Sequence, residues 1–85
     1  ANTISVFPNP TANVSNLVID LKSNANVSVN IVNGIGQVVK SFDFGFATAG
    51  SNSFSMDLST LSTGIYVIQM NIGGEVATRV LSIQK

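Results

Sequence analysis

Apolar residues return at every second position along most of this chain, and that pattern excludes most folds open to an 85-residue sequence. Side chains of a strand point alternately to opposite faces, so a period of two marks a segment with one face buried and one wet. The run "NVSNLVIDL" sets Leu17, Ile19 and Leu21 against Val18 and Asp20. "NVSVNIVN" sets Val27, Val29 and Ile31 against Ser28 and Asn30, and "NSFSMDL" sets Phe54, Met56 and Leu58 against Ser55 and Asp57. "GIYVIQMNI" places Tyr66, Ile68, Met70 and Ile72 on one face; "EVATRVLSIQ" points Leu81 and Ile83 inward and leaves Arg79 at a margin. "TISVF" and the less regular "QVVKSFDF" complete seven runs, and no segment repeats at helical spacing.

Turn chemistry separates the runs: "PNPT", "SNAN", "NGIG", "ATAGSN", "LSTG" and "GG". Short strands at about 8–12-residue spacing predict an all-β, immunoglobulin-like antiparallel β-sandwich of about seven strands. Two sheets facing each other bury both apolar faces. Pro8 and Pro10 have no N–H to give a ladder and bias Phe7 and Asn9 toward extended backbone, so strand pairing is expected to stop there. In "NGIGQVVK", Asn33-Gly34 is expected to take positive φ in a hairpin turn. Gly34 and Gly36 lack the third glycine, the Gly-Lys-Ser/Thr ending and the helix that a phosphate loop needs.

Hydrophobic residues make up 45% of the chain, enough for a packed core, so residues 1–85 read as one domain. Only 9% are charged, with four basic and four acidic side chains in balance. Phosphate binding needs clustered Lys and Arg, so nucleic acid is excluded as a partner, and a polybasic membrane anchor with it. No run is long and apolar enough for membrane insertion. The chain opens on Ala1 without a signal peptide, which suggests a domain cut from the end of a larger exported protein.

Catalysis would have to proceed without His or Cys, the commonest general base and the strongest neutral-pH nucleophile. Asp20, Asp43, Asp57 and Glu75 are scattered over separate runs, and Asp20 and Asp57 alternate outward, as solvated surface does. No D-x-D or acidic Gly-rich loop offers a calcium site, and Lys22, Lys40 and Lys85 sit in no recognisable Ser–Lys setting. The sequons at Asn13 and Asn26 are what chance gives a chain rich in Asn and Ser. No enzyme, metal or cofactor is expected.

Three segments in order carry a resemblance: "ISVFPNPTANVSNLVI", "VNIVNGIGQVVKS" and "LSTLSTGIYVIQMNIGGEVATRVLSIQK". Together they resemble the C-terminal sorting domain, type A, of cargo proteins of the type IX secretion system of Bacteroidota. Pro8, Asn9 and Pro10 match that family's opening motif, and Gly34, Gly36 and Gln37 its central N-x-x-G-x-x-V hairpin. Gly64 and Tyr66 match its G-x-Y motif, Gly73 or Gly74 the following turn, and Val80, Leu81, Ile83 and Lys85 its terminal strand with a basic ending. Phe7 stands where many members have Tyr, and Arg79 where many have Lys. The resemblance implies a non-catalytic signal that directs its cargo from the periplasm across the outer membrane to the cell surface or the medium. It implies the translocon, an outer-membrane shuttle protein and a surface sortase as partners, the sortase removing the domain as the cargo is anchored or released.

The same residues have physical readings of their own. Gly64 is expected in a turn needing positive φ. Tyr66 resembles the tyrosine corner of immunoglobulin-like sandwiches, a buried ring whose hydroxyl bonds back to the main chain. The last strand is expected to present an exposed edge, open to a receptor or to a second copy in an edge-strand dimer. An adhesive or carbohydrate-binding module is the alternative. It has no Trp to offer and depends on Phe42, Phe44 and Phe46 of "SFDFGF" being exposed and coplanar.

Overall fold

Each alternating run becomes a strand in the computed structural model, which describes residues 3–85. The strands are β1 (Thr3–Phe7), β2 (Val14–Leu21), β3 (Ala25–Val32), β4 (Val38–Ala47), β5 (Gly50–Asp57), β6 (Gly64–Ile72) and β7 (Glu75–Ile83). They form a three-stranded sheet ordered β1-β2-β5 and a four-stranded sheet ordered β4-β3-β6-β7, with every strand pair antiparallel. Among the described residues there is no helix. The architecture is an immunoglobulin-like sandwich in which the fourth strand lies beside β3 rather than beside β5.

The core is what the alternation dictates. Leu17, Ile19, Leu21 and Met56 from one sheet meet Val27, Val29, Ile31, Tyr66, Ile68, Met70, Ile72, Leu81 and Ile83 from the other. Ser15 continues the inward phase of β2 and is fully buried, its hydroxyl donating to the Pro8 carbonyl at 3.0 Å. No buried side-chain nitrogen or oxygen among the described residues lacks a partner.

β4 runs three residues past the expected "QVVKSFDF", because a bulge keeps it paired with β3. Val27 pairs with Gly45 and Ser28 with Asp43, leaving Phe44 as the extra residue, and Gly45 takes φ +71°. The bulge flips the phase beyond Phe44, so that Phe46 faces out and Ala47 in. Phe44 itself keeps the inward phase of Phe42, its ring stacking on Phe42 at 5.8 Å and on Phe54 of β5 at 4.5 Å. This ladder closes the side of the sandwich where β4 faces β5. Phe42 and Phe44 therefore pack against the core with faces occupied by each other, and Phe46 alone is exposed. The arrangement that would favour a sugar-stacking platform is not the one observed.

Candidate functional site

β1 ends at Phe7, paired with Asn16, and the chain then leaves its sheet through a loop whose two X-Pro peptides are both cis. The loop crosses to the opposite sheet and docks on the outer edge of β7. The Asn9 side chain spans two residues of that edge: Nδ2 donates to the Val80 carbonyl at 2.9 Å, and Oδ1 accepts from the Ser82 amide at 3.0 Å. Thr11 continues as main chain, its amide donating to the Ser82 carbonyl and its carbonyl accepting from the Gln84 amide, in a parallel bridge with Ile83. The Thr11 hydroxyl, buried, donates to the Val14 carbonyl at 2.7 Å and holds the return into β2.

Pro8, Asn9 and Pro10 thus stop pairing on one sheet, as expected, and resume it on the other. The expectation of an open edge along the last strand needs correction. From the Val80 carbonyl to the Gln84 amide that edge is occupied by Asn9 and Thr11. The remaining terminal-strand residues divide by phase. Leu81 and Ile83 are core, Val80 is exposed on the outer face of the sheet, and the Lys85 ammonium donates back to the Ser59 carbonyl.

The G-x-Y residues lie on the other side of the same segment. Gly64 pairs with Ile83 and Tyr66 with Leu81. Tyr66 is buried, and its hydroxyl donates to the Ser62 carbonyl at 2.8 Å, the tyrosine-corner geometry. Gly64 is not a turn residue with positive φ; it is the first residue of β6. A Cβ there would lie 3.7 Å from the Tyr66 ring, ordinary contact, so neither conformation nor space demands glycine.

The central hairpin also turns differently from the expectation. Asn33 and Gln37 pair across a three-residue loop, and the positive φ falls on Gly36 (+86°) rather than on Asn33 or Gly34. This is a type I turn closed by a left-handed glycine. Asn33 Oδ1 braces it by accepting from the Ile35 and Gln37 amides at 3.1 and 3.0 Å.

Strand direction places these segments together. Val32, just before the hairpin, pairs with Val67, which pairs with Val80. Pro8, Asn9, Pro10, Gly34, Gly36, Gln37, Gly64, Tyr66 and the residues from Val80 to Lys85 therefore gather at one end of the sandwich. Gly74 does not. It lies at the far end, in a two-residue hairpin where Gly73 and Gly74 both take positive φ (+59° and +90°).

Sequence reasoning missed Thr11, Ser15 and Asn9's side-chain role. Only Ser15 had a local signal, since it holds the same inward phase as Leu17 and Ile19. The gathered end carries little charge. Its one shifted carboxyl is Asp57, held below the ordinary carboxylate range by hydrogen bonds from Ser59, with Lys40 and Lys85 adding weaker attraction. Among the described residues no three acidic side chains approach closely enough to hold a metal ion. A main-chain and amide surface of this kind can be bound as a shape.

A family model described as the secretion system C-terminal sorting domain matches residues 5–84 of this chain. No curated protein matches it.

Proposed function

The chain belongs to the secretion-system C-terminal sorting domain family, that of the type IX system, and from that premise we propose that its gathered end is the address the machinery reads. A type IX sorting signal implies export to the cell surface or the medium and contact with that machinery. The finer steps form one reading. The domain acts without catalysis at the end of a larger cargo, transits the periplasm folded, and is bound by the translocon and its outer-membrane shuttle. A surface sortase then cuts upstream of it, and the cargo is anchored or released.

One observation supports this reading above the others: the P-N-P loop, 71 positions away in sequence at Asn9–Val80, joins the G-x-Y strand and the terminal strand at Val80–Ile83. Most of these residues make the fold. What they leave facing outward is a surface of Pro, Asn, Gln, Val and main chain, with Lys85 as its one charged side chain. Such a surface binds by shape and short-range hydrogen bonds, with little long-range steering toward wrong partners.

The test is a fusion of residues 1–85 to an inert exported reporter in a host carrying the secretion machinery, beside a copy truncated from Val80. Surface delivery with the intact domain alone is the expected result. Equal delivery by the truncated fusion contradicts the reading, and so does glycan binding by the domain with no export dependence.

A further inference from the structure

The outer edge of β7 has two halves, and only one is covered. Ser82 turns both its amide and its carbonyl outward, to Asn9 and Thr11. In an antiparallel ladder this orientation recurs at every second residue, so Val80, Thr78 and Val76 turn theirs outward as well. The Asn9 clasp stops at the Val80 carbonyl, and β7 is the last strand of its sheet. Val76 and Val80 are 67% and 61% exposed, and the Thr78 carbonyl is met by the guanidinium of its own neighbour, Arg79.

We propose that Glu75–Arg79 is a pairing site for the same segment of a second copy of this chain, antiparallel and centred on Ala77. That register sets Val76 opposite Thr78 of the second copy twice over, so both facing pairs are ones whose amides and carbonyls point at each other, the Thr78 carbonyl exchanging its Arg79 contact for the facing amide. On the other face, Arg79 lies opposite Glu75 of the second copy, and Ala77 opposite Ala77. The Arg79 stem covers those small side chains while its guanidinium meets the facing carboxylate. Charged residues on an edge usually discourage strand addition. Here one of each sign, four positions apart about the two-fold centre, makes the edge complementary to itself, as an isologous contact requires.

Neighbouring registers are worse. A slip one way brings Val76 opposite Val80, whose carbonyl Asn9 already holds, and drives Glu75 of the second copy into the clasp. A slip the other way brings Gly74, whose amide already donates to Asn71, opposite Thr78. In the centred register the second copy's Gly73-Gly74 turn leaves the edge where the clasp begins, with no side chain to collide. Both gathered ends remain uncovered.

Sedimentation of the 85-residue chain across a concentration series, read with backbone NMR shifts, tests the proposal. The expected result is a reversible dimer with shifts confined to Glu75–Val80. Thr78→Pro deletes only an outward amide, which edge strands tolerate, and weakens association at least about tenfold. Glu75→Arg and Arg79→Glu each weaken it alone, and mixing the two variants restores it. The mixing arm serves where the proline variant does not fold. A monomer up to about 1 mM overturns the proposal. So does a dimer indifferent to Thr78→Pro, which would signify exchange of the whole strand, or charge variants that fail to recover on mixing.

Discussion

Replacing Asn9 by alanine removes both contacts of the clasp side chain and leaves the Thr11 main-chain bridge in place. The two bonds, at 2.9 and 3.0 Å, have good geometry but lie exposed. An intramolecular hydrogen bond contributes about 0.5–1.5 kcal/mol net, and water replaces part of an exposed one. The pair is therefore worth about 1–2 kcal/mol. For a domain of this size total stability is about 4–13 kcal/mol, so the loss is measurable by urea denaturation. The melting temperature should fall by about 4–8 °C per kcal/mol. Amide exchange localises the effect, since the Ser82 amide has Asn9 Oδ1 as its acceptor and should lose protection first. The Leu81 and Ile83 amides should change only with global stability. Unchanged stability with an unchanged Ser82 amide would refute the clasp as described.

Tyr66→Phe keeps the buried ring and deletes the bond to the Ser62 carbonyl, costing about 1–1.5 kcal/mol by denaturation. Gly36→Ala places a Cβ at φ +86° and should cost about 1 kcal/mol, whereas Gly64→Ala should stay within about 0.5 kcal/mol; equal costs would contradict the hairpin assignment. Asp57 has a folded-state pKa depressed first by its Ser59 hydrogen bonds. Its contribution is therefore present above the unfolded pKa and lost as pH falls through the folded one, and Asp57→Asn should flatten that part of an acid-unfolding profile.

Period-two phase made the core legible, because a half-buried strand has no other way to arrange Leu17, Ile19, Leu21, Val27, Val29 and Ile31. The Gly-Gly turn and the Tyr66 corner were equally readable, each being a local conformational demand with its own residue signature. The clasp was not. Asn9 and Val80 are 71 positions apart, and a side chain that imitates a strand leaves no periodic trace. Asn-Gly at positions 33 and 34 suggested positive φ at those two residues, but Asn33 pairs with Gln37 across a three-residue loop, which moves the left-handed residue to Gly36. Phe46 turned outward for a reason equally hidden from periodicity, a bulge at Gly45 that shifts the phase of β4 partway along.

The central claim is that sorting reads one end of the folded sandwich, and it is tested most directly by pairing defects at the two ends. Asn9→Ala loosens the gathered end. Gly74→Ala strains the far hairpin, where φ is +90°, and costs about 1 kcal/mol. Fused to the same exported reporter and matched for fraction folded, the two should differ in surface delivery, reduced for Asn9→Ala and retained for Gly74→Ala. Equal delivery by both, or a deficit confined to Gly74→Ala, would contradict the account.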